Sequence, residues 1–159
     1  LVQLQRPRMN SNADPTICVL GFDVGARRIG VAVGNTLSRS ARAIAMITAR
    51  DEGPDWDAVA ALVREWRPDR LVVGEPLTLE GETQLATHLS RRFAREAAQR
   101  FGLPVDMVDE RSSTREADRR FAERRRAGQA RRRDARALDA VAAQIIVERW
   151  LGEPPLAPT

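Results

Sequence analysis

The order in which hydrophobic patterns succeed one another constrains this chain more than any single residue in it. Ile17-Cys18-Val19-Leu20-Gly21-Phe22 is a short unbroken apolar run, the pattern of a strand buried on both faces, and it ends at Asp23. Gly25 offers a turn, and from Arg28 to Gly34 the residues Ile29, Val31 and Val33 alternate with Gly30, Ala32 and Gly34. Ala43 to Thr48 reads as a third strand, and connections this short predict an antiparallel meander. The period then changes. Pro54 opens a helix whose apolar residues Trp56, Val59, Ala60, Val63 and Trp66 recur at helical spacing, and Pro68 stops it. Leu71 to Gly74 is a fourth strand. A helix follows from about Glu82 to Phe101, with Leu85, Leu89, Phe93 and Ala97 on one side and Gly102 as its stop. Val105 to Val108 is the fifth strand, ending at Asp109-Glu110. Ser113-Thr114-Arg115-Glu116 has capping-box spacing and starts a helix running to about Gly128. Asp134 caps a last helix carrying Leu138, Val141, Ala142, Ile145, Ile146 and Trp150.

The resulting order, β-β-β-α-β-α-β-α-α, predicts an α/β fold. Its mixed five-stranded sheet joins an antiparallel three-strand meander to parallel strands, with helices on both faces. Residues 1–16 read as a flexible extension, 17–151 as one domain and 152–159 as a flexible tail. At 159 residues there is material for one core, not for two domains closing over a ligand. No apolar run approaches the ~20 residues of a membrane span. The first 16 residues, polar and holding Pro7 and Pro15, lack a signal-peptide core. A single cysteine, Cys18, excludes an internal disulfide framework and a multi-cysteine zinc site. The expected compartment is the cytoplasm.

Charge is uneven. The chain has no lysine, and its 26 arginines stand against 22 acids. Between Arg111 and Arg136 eleven arginines meet only Glu116, Asp118, Glu123 and Asp134, an excess of +7, whereas the remainder is weakly acidic. Such a segment is the footprint of a polyanion-binding surface. The plainer reading is an arginine bias decorating a solvated helix, which accounts for the missing lysine but not for the clustering.

Among the acids, three sit in contexts awkward for a purely structural role. Asp23 and Glu110 each follow an apolar strand, and Asp139 lies inside the last helix among Ala135, Ala142 and Ala143. Brought together, three carboxylates repel one another unless a cation neutralises them. A hard divalent ion, Mg²⁺ or Mn²⁺, suits an all-oxygen donor set. Taken singly, each also reads as a turn residue or a partner of a helix dipole. Spacing alone leaves Asp109 open as a rival to Glu110, since adjacent strand residues face opposite ways, and leaves Glu75 open after the fourth strand.

Four blocks carry a family resemblance. Gly21-Phe22-Asp23-Val24-Gly25-Ala26-Arg27-Arg28-Ile29-Gly30-Val31-Ala32 resembles the opening motif of the YqgF family. Val72-Val73-Gly74-Glu75-Pro76-Leu77 with Gly81, Val108-Asp109-Glu110-Arg111-Ser112-Ser113-Thr114, and Leu138-Asp139-Ala140-Val141-Ala142-Ala143 resemble its later blocks, in order. The family is RuvC-like, with a ribonuclease-H-like fold, and is described both as Holliday junction resolvases and as pre-16S ribosomal RNA nucleases. The resemblance implies that Asp23, Glu110 and Asp139 are the catalytic, metal-binding acids, with Mg²⁺ or Mn²⁺ as cofactor. It departs at Arg27, where a lysine is frequent, and at Glu75, where an aliphatic residue is common.

The expected activity is metal-dependent phosphodiester hydrolysis, with precursor 16S ribosomal RNA as substrate and branched DNA as the alternative. Arg27, Arg28 and Arg111 are candidate phosphate contacts beside the acids. Arg124, Arg125, Arg126, Arg131, Arg132 and Arg133, flanking Gly128, read as a substrate-gripping loop. With aromatics at 4% and no tyrosine, contact is expected to backbone and shape rather than by base stacking. His88 is expected on a surface or in packing, the three tryptophans as core or interface anchors, and Cys18 buried. The chain is expected as a monomer or homodimer, without a membrane partner. Two other classes fit parts of the pattern. An actin-like ATPase shares the Asp-Val-Gly turn but needs a second domain, and a non-catalytic binding module assisting ribosomal RNA maturation would carry the same basic segment.

Overall fold

The computed structural model describes residues 15–111 and 132–152, with 132–139 described by their backbone alone. The expected helix after Ser113, its capping box and both termini lie outside the described residues.

Strands β1 (Cys18–Val24), β2 (Arg28–Asn35) and β3 (Ser40–Arg50) form the predicted meander, each somewhat longer than its apolar pattern. β4 (Gly53–Pro54) then pairs antiparallel with the end of β3. Helix α1 (Trp56–Trp66), β5 (Arg70–Glu75), α2 (Leu85–Phe101), β6 (Val105–Asp109) and α3 (Arg132–Gly152) complete the described chain. The sheet runs β4-β3-β2-β1-β5-β6, with β1, β5 and β6 mutually parallel. It has six strands, not the expected five. The extra one is two residues long, too short for an alternation to register, and Pro54 occupies an edge where a missing N–H costs nothing. Pro54 therefore does not open a helix. Asp55 caps α1 instead, its carboxylate accepting from the Ala58 N–H at 3.2 Å.

Helix ends follow local chemistry. α1 closes through Arg67 in the left-handed region (φ 47°), its N–H reaching the Val63 carbonyl, and Pro68 prevents continuation. α2 starts three residues later than its apolar spacing suggests, because Gln84 and Thr87 form a reciprocal capping box; Gly102 ends it at φ 63° as expected. α3 begins two residues before Asp134, so that residue lies within its first turn rather than capping it.

Alternation along the strands divides the interior into two layers. Leu20, Phe22, Val24, Leu71 and Val73 face α1 and α2, where Phe22 and Trp56 both pack on the Phe93 ring with centroids 4.9 Å away. Val19, Val72 and Val108 face α3 and meet Ala143, Ile146, Val147, Trp150 and Leu151. α3 lies close to the sheet because Gly21 and Gly34 lack side chains: a Cβ at Gly34 would stand 2.7 Å from Val147, and one at Gly21 would collide with the same residue. The far end of α3 is fastened by Trp150, whose Nε1 donates to Asp106 Oδ2 at 2.8 Å, and by Arg39, which donates to the Leu151 carbonyl at 3.0 Å. Among the tryptophans Trp150 is buried, while Trp56 and Trp66 are half-buried beneath Arg100 and Arg42. His88 is exposed, as expected. Cys18 is only half-buried; that burial raises its thiol pKa.

Candidate functional site

The carboxyl ends of the parallel strands β1, β5 and β6 open on one edge of the sheet, where α/β proteins commonly bind ligands. Asp23 is the next-to-last residue of β1 rather than the residue after it, held in register opposite Gly30. Glu110 follows β6 directly, its N–H donating to the Glu75 carbonyl at 3.3 Å.

Strand parity decides which acids share a face. On β1 the α3-facing positions are Val19, Gly21 and Asp23; on β5 they are Val72 and Gly74; on β6 they are Asp106 and Val108, with Glu110 next in step. Asp23 and Glu110 therefore lie on the α3 side. Glu75 and Asp109, the acids that spacing left open, point the other way. Glu75 accepts from Arg91 of α2 at 2.6 Å, and Asp109 pairs with Arg111 at 2.5 Å. That guanidinium holds the Asp109 carboxyl below its ordinary range, chiefly by hydrogen bonding.

One strand separates β1 from β6, roughly 10 Å between their axes. Glu110 narrows that gap. It is 3% exposed, and its side chain bends back over β5 into room left by Gly74, where a Cβ would lie 2.8 Å from Glu110 Oε1 and 2.5 Å from Ile146 Cδ1. In register, Gly74 is the neighbour of Asp23, one step beyond the Phe22–Val73 pair. The role of Gly74 escaped the sequence reading; its traces there are its place in the second family block and a glycine directly after the apolar run Leu71-Val72-Val73.

Asp139 occupies α3 four residues before Ala143 and seven before Ile146, both packed on the sheet; its side chain lies outside the described residues. Among the described residues no three acid, histidine or cysteine side chains cluster as an ion site, so a third carboxylate would have to come from a side chain outside them, and Asp139 is the one the family resemblance names. Carboxylate oxygens are the donors a hard divalent ion takes, and the described residues bring two such side chains, Asp23 and Glu110, to this side of the sheet; the room left by Gly74 is taken up by Glu110 Oε1 and Ile146 Cδ1.

Arg27 and Arg28 are exposed beside this edge. Arg27 lies in the turn before β2, its carbonyl accepting from the Ala49 N–H at 2.9 Å, and Arg28 opens the strand. Arg111 is engaged with Asp109 and with two loop carbonyls. Arg124, Arg125, Arg126 and Arg131 lie outside the described residues; Arg132 and Arg133 begin α3, their side chains also undescribed. On the opposite face a recess of about 170 Å³ is lined by Val24, Trp56, Phe93, Arg92 and Arg100 among others. It presents no free aromatic platform, because Phe93 stacks on Trp56 and Arg100 lies 4.6 Å from the same ring centroid. No helix among the described residues is long and apolar enough to cross a membrane.

Comparison with known proteins agrees with this architecture. A relative from Xanthomonas oryzae pv. oryzae, named "Putative pre-16S rRNA nuclease", is 57% identical over 140 residues, covering 88% of this chain and 90% of the relative. One of the same name from Xanthomonas campestris pv. campestris is 56% identical over the same span. Among solved structures, a fowlpox virus resolvase in complex with Holliday junction DNA superposes with a TM-score of 0.53 at 11% identity, covering 86% of this chain and 97% of that one, a likeness of fold. The sequence model described as "RuvX: Holliday junction resolvase" matches residues 17–153, and the chain belongs to that family, the RuvX (YqgF) family.

Proposed function

We propose that this chain is a nuclease that hydrolyses phosphodiester bonds in structured nucleic acid with a divalent metal ion, and that its substrate is precursor 16S ribosomal RNA. The observation that supports this reading is that Asp23 and Glu110 lie on the same side of the sheet at the carboxyl ends of its parallel strands, the side on which α3, the helix that contains Asp139, packs. The relatives' name supports RNA as substrate. Branched DNA is the second reading, supported by the family's description.

Asp23, Glu110 and Asp139 are the residues that would hold Mg²⁺ or Mn²⁺. When bound, such an ion supplies Lewis-acid activation of a water and neutralises charge on the phosphate. The chain's own part is to bind and orient. Burial of Glu110 against Gly74 limits the rotamers of one carboxylate before any ligand arrives, so little ordering remains to be done on binding. Arg27 and Arg28 are proposed to contact the phosphate backbone beside the scissile bond, and the arginines at 124–126 and 131–133 to hold the polyanion further away. With one thiol and no disulfide framework, the cytoplasm is the fitting compartment.

The test is a cleavage assay with purified protein, precursor ribosomal RNA and a four-way DNA junction, in Mg²⁺ or Mn²⁺. Asp23→Asn is expected to abolish cleavage while leaving the melting temperature and the circular dichroism spectrum unchanged. Full activity in that variant overturns the assignment. Binding that persists in EDTA, with no cleavage of either substrate by the unmodified protein, favours the non-catalytic module.

A further inference from the structure

We propose that Arg111 is a positioning residue for Glu110, acting through Asp109 and the turn at residues 78–82; what Glu110 does rests on the nuclease reading above. Glu110 sits between two side chains that close on each other. Arg111 Nε lies 3.1 and 3.0 Å from the two Asp109 carboxylate oxygens, Nη2 donates to Oδ2 at 2.5 Å, and the Arg111 backbone N–H donates to Oδ1 at 3.0 Å. The same guanidinium crosses to the loop after β5, where Nη1 donates to the Thr78 carbonyl at 3.3 Å and the Leu79 carbonyl at 3.1 Å.

That loop is itself built to receive it. The Thr78 N–H donates to the Glu82 carbonyl and the Gly81 N–H to the Thr78 carbonyl, at 2.9 and 2.8 Å, while the Thr78 hydroxyl accepts from the Glu82 N–H at 2.9 Å. Gly81 adopts φ +88°, and a Cβ there would stand 3.4 Å from Arg111 Nη1. Arg111 thus ties the end of β6 to the β5–α2 loop across the face opposite α3. The backbone at Glu110 is held from both sides, and its carboxylate is directed over Gly74.

A direct phosphate contact by Arg111 competes poorly with this arrangement. A guanidinium offers five N–H donors, and these contacts engage four of them. The adjacent Asp109 carboxylate also neutralises the charge that a phosphate would seek.

The two roles predict opposite outcomes for Asp109→Asn. The full-length protein and its Arg111→Gln, Asp109→Asn and doubly substituted forms would be compared by Mn²⁺ titration calorimetry without nucleic acid, by amide exchange, and by RNA binding in EDTA. If Arg111 positions Glu110, each single substitution weakens Mn²⁺ binding by about 10–100-fold and speeds exchange at residues 78–82, and the double substitution is no worse than either. RNA affinity in EDTA stays within about twofold. If Arg111 contacts phosphate, Arg111→Gln weakens RNA binding and flattens its salt dependence by about one ion, Asp109→Asn tightens it, and Mn²⁺ affinity is unmoved; that pattern overturns the proposal. Should the unmodified protein bind no Mn²⁺, the metal reading of the acids fails by itself. Exchange at 78–82 and at the Glu110 amide then decides the clamp, and unchanged protection in both variants overturns it.

Discussion

Gly74 shows how a missing side chain can matter more than most that are present. A methyl group there would meet the ends of two flexible side chains, Ile146 Cδ1 at 2.5 Å and Glu110 Oε1 at 2.8 Å, rather than backbone. Both ends can yield, so the overpacking cost should fall at the low end of the usual ~1–3 kcal/mol, partly offset by the ~0.5–1 kcal/mol that alanine recovers over glycine in a strand. Gly74→Ala is therefore expected to lower stability by no more than about 0.5 kcal/mol, yet to displace the Glu110 carboxylate. The expected result is a melting temperature changed by a few degrees with a marked rise in the Mg²⁺ concentration needed for cleavage, read by thermal melts and metal titration of activity. A melt shift with an unaltered metal requirement would dissociate Gly74 from the site. Ser90 tests the reverse situation. It is fully buried in α2, and its hydroxyl has no hydrogen-bond partner among the described residues. An unsatisfied buried hydroxyl costs about 1–3 kcal/mol, so Ser90→Ala should raise the melting temperature, whereas a fall would reveal a partner for it.

The helices and strands were legible wherever a pattern ran longer than about one turn or two alternations. β1, β2, β5 and β6 follow their apolar runs, and Pro68 and Gly102 mark helix ends that the structure keeps. β4 was not legible, because two residues carry no period and Pro54 is as reasonable at a helix start as at a sheet edge. The helix start that followed from Pro54 was misplaced for the same reason; Asp55, a good cap, was the better signal. Of the acids, residue type and position singled out candidates and the four-block resemblance chose Asp23, Glu110 and Asp139; what physically sets Asp23 and Glu110 apart from Glu75 and Asp109 is register, and register needs the neighbouring strand. The Arg91 partner of Glu75 and the two carbonyls bound by Arg111 are long-range pairings that no local pattern announces. The cap itself can be measured. Asp55→Ala removes the 3.2 Å acceptor of the Ala58 N–H and should cost ~1 kcal/mol in chemical denaturation, with Asp55→Ser restoring most of it. A loss shared equally by both substitutions would show that the cap contributes little.

Across the chain as a whole, the proposed binding and cleavage groups differ in chemistry, arginines for one and acids for the other, and this makes the two roles separable by experiment. The acids at the strand edge number few, and the ion they are proposed to hold would serve hydrolysis; the affinity for a polyanion is proposed to come instead from arginines, eleven of which lie between residues 111 and 136. Each phosphate neutralised by an arginine releases a condensed counterion, so the number of contacts appears as the slope of log affinity against log salt, about 0.7 per contact for single strands and 0.9 for duplex DNA. Replacing Arg124, Arg125 and Arg126 together by glutamine should flatten that slope by about two to three units if all three contact phosphate, measured in EDTA so that no substrate is consumed. Asp23→Asn in the same assay should leave the slope unchanged, because it alters an acid rather than a phosphate contact. The pair of results has a direct reading. A flattened slope in the arginine variant with an unchanged one in Asp23→Asn assigns grip to the basic segment and chemistry to the edge. An unchanged slope in the arginine variant would make those residues solvated decoration and move the search for the polyanion surface to Arg27, Arg28 and their neighbours.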